Sequence, residues 1–449
     1  MTLAEFVASA IPPVEGRHAA ARALLDTIGV MLAGASESAA ASVQQVVAQE
    51  SSGLQCSVLG TRLRTSATSA ALANGTAAHA HDYDDMCFVS LAHPSAPLVA
   101  AGLAIAELSG ATGRALLEAY VVGFEIEACL GRAMNPRHYR RGWHCTSTLG
   151  TIGAAAAASR LLGLGARVIG HALAIAASEA SGLKENFGTM VKPLHAGLAA
   201  RNGVLAALLA QAGMTASVSA IEGPQGFLAA MDSESSALRP FIANLGERWE
   251  TLDSGITVKL YPSCAATHPA LDALLDLKCR DGFDAADVER IDIGVDAITP
   301  TVLLHEHPST GLEGKFSMPF CAAAAVVDGH VGLATFAADR LADPIVAGMR
   351  ERVAMHVDPT LDAGAPPLTQ ARVQVTLKDG RVLGAVANGA RGYPDRPATS
   401  EQLAAKFLSC AGVALPETRA REALAALQCI DSAADVRTVI DLCGSGGAT

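Results

Sequence analysis

The chain has little charge, few aromatic side chains and no paired-cysteine pattern. Charged residues make up 17% and aromatics 4% of its 449 residues, while hydrophobic residues reach 50%. That balance excludes a disordered chain, which is charged and poor in apolar groups. Lys and Arg number 33 against 44 acidic residues, a formal net charge of −11. No long basic run is present, so a nucleic-acid partner is not expected, because phosphate contacts need clustered cations. No stretch reaches the about 18–20 uninterrupted apolar residues of a membrane span. The best candidates, Leu98–Leu108 and Val204–Met214, are too short. Met1–Pro13 carries Glu5 and neither a basic nor an apolar signal-peptide region. The ten Cys are scattered, with no CxxC pair. They read as reduced thiols of a cytoplasmic protein, with no disulfide framework and no zinc site. Phosphate-binding GxxxxGK[ST] and strand-linked GxGxxG loops are missing, as is a GxSxG nucleophile elbow.

The first half is rich in Ala and Leu and reads as helix after helix. Ala21, Leu24, Leu25, Ile28 and Leu32 recur at the helical period, with Gly34 as a stop. Leu98–Leu108, Ala115–Leu130, Gly153–Leu162, Ile169–Ala180 and Ala199–Ala212 repeat the pattern. After about Thr257 the character changes. Val288–Ile298 alternates like a strand, and so does Ala371–Leu377, followed by the Lys378-Asp379-Gly380 turn and a return over Arg381–Val386. Pro319–Val327 and Ser400–Leu415 look helical again. The expected fold is mainly α: a large helical domain from residues 1–264 and 396–449, and a smaller α+β domain over 265–395. The Gly-rich tail Gly444–Thr449 is expected to fray.

Polar residues gather in four places. The first is His79-Ala80-His81-Asp82-Tyr83-Asp84-Asp85, followed by His93-Pro94-Ser95. Its two His and three Asp suit a metal or an acid/base site, and equally a capped helix end. The second, Gly142–Thr148, sets His144 and three hydroxyls before an Ala-rich helix, either an anion site or an ordinary cap. The third, Asn186–Gly197, holds Lys192, Pro193 and His195, with a solvated turn as the plain alternative. The fourth, Lys259–Pro269, holds Tyr261, Cys264 and His268 at the domain junction, where clefts form, unless it is only a Pro-punctuated linker. His305, Glu306 and His307 read as a solvated loop.

Taken together these segments resemble the MmgE/PrpD family, which includes 2-methylcitrate dehydratase, cis-aconitate decarboxylase and iminodisuccinate epimerase. The likeness starts at Ala23–Gly29 and runs through Asn74–Asp85 and His93-Pro94-Ser95. It continues through Gly142–Gly150, Lys192–Gly197, Lys259–His268, Lys315-Phe316-Ser317 and Val327-Asp328-Gly329, all in family order. The resemblance implies a large helical domain built from both chain ends, a smaller α+β lid, a homodimer, and neither metal nor organic cofactor. It implies Asp82, His93, His144 and Lys259 as catalytic candidates, with Lys192, His195, Tyr261 and His268 binding substrate. Two departures stand out. Met86 follows the DYDD motif where lyases of the family carry Thr, and Phe320 replaces the Tyr of the KFSxPY segment, as in the epimerase branch.

The implied chemistry is proton transfer at a carbon next to a carboxylate. Cations must face the developing negative charge, a role suited to Lys192 and Lys259 with His144 as a donor. A neutral His93 can serve as base, its ordinary pKa of ~6.5 lying near operating pH, with Asp82 orienting it. The expected activity is that of a 2-methylcitrate-dehydratase-type lyase on a small di- or tricarboxylate. An epimerase of an imino- or amino-dicarboxylate and a cis-aconitate-type decarboxylase are the alternatives. A metal-dependent hydrolase lacks a second ligand set, and a purely structural helical protein leaves the Lys and His residues without a common purpose.

Overall fold

The computed structural model describes residues 1–50, 53–231, 233, 235–361 and 369–444. The far end of the Gly-rich tail, 445–449, lies outside the described residues. The first part of the chain is helical. Its main elements are Val14–Gly34, Ala67–His79, Ser95–Ser109, Gly113–Met134, Cys145–Leu161, Ala166–Glu179 and Val191–Gln211. Ser66 and Thr112 cap two of them by accepting backbone N–H bonds, and Gly110, at φ +66°, ends a third.

The abundance of Ala and Gly has a geometric consequence. A Cβ on Gly197 would stand 2.2 Å from Thr76 Oγ1 and 2.4 Å from Leu72 O. The helices Ala67–His79 and Val191–Gln211 therefore cross almost backbone to backbone. Gly203 meets Cys145–Leu161 in the same way, where a Cβ would lie 2.5 Å from Ala154 Cβ. These crossings bring the C-terminal end of one helix, at His79, against the N-terminal end of another, at Lys192. The chain end returns to this part: Leu403, Phe407 and Leu427 of helices Ser400–Ala411 and Glu417–Gln428 share one core with Leu24 and Ile28. Lys406 Nζ reaches Asp26 at 2.7 Å and Tyr83 O at 2.8 Å, a buried tie between helices Val14–Gly34 and Ser400–Ala411 and the acidic turn.

A second core belongs to the α+β part. Its sheet runs Val353–Val357, Val288–Val295, Ala371–Leu377, Val382–Ala387. The first pair is parallel and the others antiparallel. Ile291, Ile293 and Val295 pack with Val373, Val375 and Leu377 under helices His268–Asp281 and Met318–Asp328. The Lys378-Asp379-Gly380 turn is present, with Gly380 at φ +88°. Two differences from the sequence reading have simple causes. The strand expected to reach Ile298 stops at Val295, because Asp296 Oδ1 accepts from the N–H of Ile298 and Thr299 and turns the chain. The edge strand Val353–Val357, largely exposed, is only five residues long, and its alternation of Val353 and Met355 with Ala354 and His356 was passed over in the sequence. No single helix among the described residues is long and apolar enough to cross a membrane; only the Val14–Gly34 and Ser38–Val47 pair, bent by 84°, passes jointly on length and composition.

Candidate active site

The close helix crossing builds the site. Lys192 sits in the first turn of Val191–Gln211, where Pro193 is tolerated because its missing N–H needs no partner. It is 4% exposed, so the region is no solvated turn. Lys192 Nζ lies 2.7 Å from His79 Nε2 and 2.5 Å from Asp82 Oδ1. Lys259, fully buried, donates to Asp82 Oδ2 at 2.9 Å and to Asp82 O at 2.8 Å. Asp82 adopts φ +52°, a left-handed conformation uncommon for a side-chain-bearing residue and costing about 1–3 kcal/mol. The two lysines hold it there. Burial alone would raise the Asp82 pKa, but Lys192 and Lys259 outweigh it and keep the carboxyl well below the ordinary carboxylate range.

A second carboxylate supports the imidazoles. His79 Nδ1 lies 2.9 and 2.8 Å from the two oxygens of Asp84. With Lys192 donating to Nε2, the proton of a neutral His79 belongs on Nδ1, which donates to Asp84. His93 Nδ1 is 3.4 Å from Asp84 Oδ2, closer than its Nε2 is to Asp82 Oδ1 at 3.8 Å. Asp84, more than Asp82, is thus the carboxylate beside His93. His144 is the N-cap residue of Cys145–Leu161, and its Nδ1 pairs with His195 Nδ1 at 3.0 Å. Buried His144 Nε2 has no hydrogen-bond partner, and His93 Nδ1 has only its longer contact with Asp84.

The imidazoles are held neutral. Burial, helped by Lys259 and Lys192 against the pull of Asp84, lowers His93 to about 3. Burial with Lys192 takes His144 well below its ordinary value, and burial lowers His195 to about 4. The expectation of a His93 base near its ordinary pKa is therefore corrected: the ring is neutral but weakly basic. One more cation stands nearby in a different place. Lys315, lowered to about 8 by burial, donates to Pro262 O at 2.9 Å and lines a separate cleft of about 520 Å³ with His81 and Phe336.

The acid/base groups converge on a smaller cavity of about 60 Å³. Asp82, His93, His144 and Lys192 form one end of it; Met86, Phe88, Leu91, Phe187, Ile298, Val302 and Phe316 form its walls. We take this cavity as the site despite its smaller volume, because the reactive groups face it and not the larger cleft. Lys259 touches it through Asp82, and His195 through His144. Tyr261 and His268 stand apart. Tyr261 donates to Asp272 Oδ1 at 2.6 Å and receives from Arg391 at 3.1 Å, inside the α+β core. His268 Nε2 lies 3.2 Å from Ser263 O. Neither lines the cavity, which removes the geometric ground for their substrate-binding roles. Phe320 also misses it: the ring is 1% exposed, 5.8 Å from Phe336 and packed on Gly314. The lost hydroxyl of that position is thus not a lost cavity group. His79 and Asp84, left by the sequence between an acid/base site and a capped helix end, lie within this cluster, and the signal was their spacing within the His/Asp run.

His79, Asp82, Asp84 and His93 bring donor atoms within 4.8 Å of one another, close enough for a metal ion. The donor chemistry does not fit one. Both oxygens of Asp82 and Nε2 of His79 already face ammonium groups, so a divalent cation would meet two positive charges there.

Comparison with known proteins identifies the family. Residues 2–238 match the MmgE/PrpD N-terminal domain and residues 261–432 the MmgE/PrpD C-terminal domain. The chain belongs to the MmgE/PrpD family. It is 29% identical over 400 residues to the cis-aconitate decarboxylase of Homo sapiens, covering 86% of this chain and 81% of that one. The Mus musculus enzyme of that name is 29% identical over 401 residues, covering 86% and 80%. The cis-aconitate decarboxylase of Aspergillus terreus is 26% identical over 410 residues, covering 86% and 83%. The family places the site in a group of enzymes acting on small carboxylic acids.

Proposed function

We propose that this protein is a decarboxylase of a small unsaturated di- or tricarboxylic acid. The observation that carries the reading is the Lys192 ammonium standing beside two neutral imidazoles, His93, which leans on Asp84, and His144, whose Nε2 has no hydrogen-bond partner. A dehydratase or epimerase must begin by pulling a proton from carbon, for which an imidazole lowered to about 3 is a poor base. Decarboxylation begins differently. The C–C bond to one carboxylate breaks, carbon dioxide leaves and the electron pair stays on the substrate. Lys192 and Lys259 stabilise that charge electrostatically, and a proton from the Lys192 ammonium then quenches the carbanion. Dehydration of the 2-methylcitrate type therefore gives way to the decarboxylase alternative, which the names of the relatives also favour.

The reading needs neither metal nor organic cofactor. It includes the family's homodimer in the cytoplasm, and the α+β part over 265–395 closing as a lid that excludes water. The test is to incubate the purified protein in D₂O with cis-aconitate and its di- and tricarboxylate relatives. Release of carbon dioxide with one deuteron fixed per product supports the reading. Exchange or loss of water without carbon dioxide release overturns it in favour of an epimerase or a dehydratase.

A further inference from the structure

An ammonium group has three N–H bonds, and two of those on Lys192 are engaged. One meets Asp82 Oδ1 at 2.5 Å and one meets His79 Nε2 at 2.7 Å. Among the described residues no third acceptor stands at Nζ. The Phe187 and Phe316 rings, both in the cavity wall with Lys192, have their centres 5.3 and 5.4 Å from it. The third N–H therefore faces the cavity, and the two acceptors behind it set its direction.

Those acceptors are not equivalent. The Asp82 carboxylate answers to two cations, since Lys259 Nζ takes its other oxygen at 2.9 Å. His79 Nε2 serves Lys192 alone. The His79 ring is 1% exposed and lies behind the cavity wall. Asp84 grips its Nδ1 with both oxygens, at 2.9 and 2.8 Å, which keeps the proton on Nδ1 and the lone pair of Nε2 on Lys192. Burial holds the ring neutral against the pull of Asp84. A neutral acceptor fixes the direction of the ammonium without cancelling its charge, as a second carboxylate would.

We infer that His79, clamped by Asp84, is a positioning residue that aims the free N–H of Lys192 at one face of the bound acid. This rests on the reading of Lys192 as the proton donor. In cis-aconitate the C–C bond to the departing carboxylate breaks, the electron pair spreads over three carbons, and the far carbon takes the proton. Lys192 is left as the amine and recovers its proton from solvent when the product leaves. In D₂O that carbon becomes a –CHD– centre, so an aimed donor leaves a single configuration.

Two variants separate aim from packing. The amide of His79→Asn reaches Asp84 but falls short of Lys192, whereas that of His79→Gln extends to where Nε2 stood. His79→Asn should lower kcat by about a hundredfold with KM little changed, and give both configurations at the deuterated carbon, resolved by NMR of a chiral ester. His79→Gln should hold kcat within about tenfold of native and keep one configuration. Equal kcat for the two variants, or a single configuration from His79→Asn, overturns the inference. A second readout needs neither turnover nor a folded His79 variant. In native protein labelled with ¹⁵N at lysine Nζ and in the imidazoles, the ammonium signal that Lys192→Met removes should exchange slowly with water, and His79 should carry its proton on Nδ1. A fast-exchanging Lys192 signal, or a proton on Nε2, overturns the inference. No carbon dioxide from the native protein, with both signals as expected, upholds it and sinks the decarboxylase reading instead.

Discussion

The helical part and the α+β part face each other across one cavity and contribute unlike things to it. Asp82, His93, His144 and Lys192 come from the helical part. Ala265, Ala266, Ile298, Val302 and Phe316 come from the α+β part and carry no charge. Even the contact across the divide follows this split, with the Lys192 ammonium 5.4 Å from the centre of the Phe316 ring. The helical part has the rigidity that chemistry demands, because glycine-mediated crossings fix His79 against Lys192. The α+β part offers shape and dryness. The reactive groups come from the helical part alone, whereas the apolar wall is shared, with Met86, Phe88, Leu91 and Phe187 added by the helical part, and substitutions at reactive and wall positions should produce different kinetic signatures.

The largest effects belong to the helical side. His93→Ala and His144→Ala should each lower kcat by about 10²–10⁴-fold, with circular dichroism and melting showing a folded protein. Lys192→Met should lower kcat by about 10²–10³-fold. Lys259 still pairs with Asp82 in that variant, so the turn should survive. On the other side, Val302→Ala should mainly raise KM, by about tenfold or less, with little change in kcat. A fall in kcat for Val302→Ala as deep as that for Lys192→Met would erase the division of labour.

The smallest effect concerns stability. Asp85, one residue from Asp84, is pushed up to about 8 by burial despite its bonds from the N–H and hydroxyl of Ser95. A carboxyl raised in the folded state stabilises fully below its unfolded pKa, and that contribution is lost as pH rises through about 8. Asp85→Asn should therefore melt progressively higher relative to the native protein as pH goes from about 4 to 8. The lowered histidines act in the opposite sense. Their contribution is present above about 6.5 and is lost as pH falls toward about 3 for His93 and about 4 for His195. Parallel melting curves for Asp85→Asn and native protein across pH 4–8 would contradict the neutral, buried carboxyl.

Much of this was legible in sequence, for identifiable reasons. Helices showed through their apolar period and the hairpin through Asp379-Gly380, because both are local signals. The motif runs brought Asp82, His93, His144, Lys192 and Lys259 forward together. Tyr261 and His268 were drawn in with the Lys259–His268 motif by the family resemblance, but membership of a motif does not fix a side chain's direction. From Tyr261 onward the chain runs into the α+β core, and both side chains go with it. Phe320 misled similarly: Phe316 faces the cavity while Phe320, in the first turn of Met318–Asp328, faces the core. The cavity walls were invisible because Met86, Ile298 and Phe316 meet only through tertiary packing. The depressed basicity of His93 was equally hidden, since it arises from burial and two lysines distant in sequence.

The account's central claim is that the Lys192–imidazole end of the cavity performs proton transfer while the α+β wall only selects. The most direct test is mass spectrometry of product formed in D₂O by the native protein, His144→Ala, Lys192→Met and Val302→Ala, at saturating substrate. The account predicts one deuteron per product at near-native rate for Val302→Ala. It predicts deuteration slowed by at least about a hundredfold for His144→Ala and Lys192→Met. Near-native deuteration in both of those variants would contradict it.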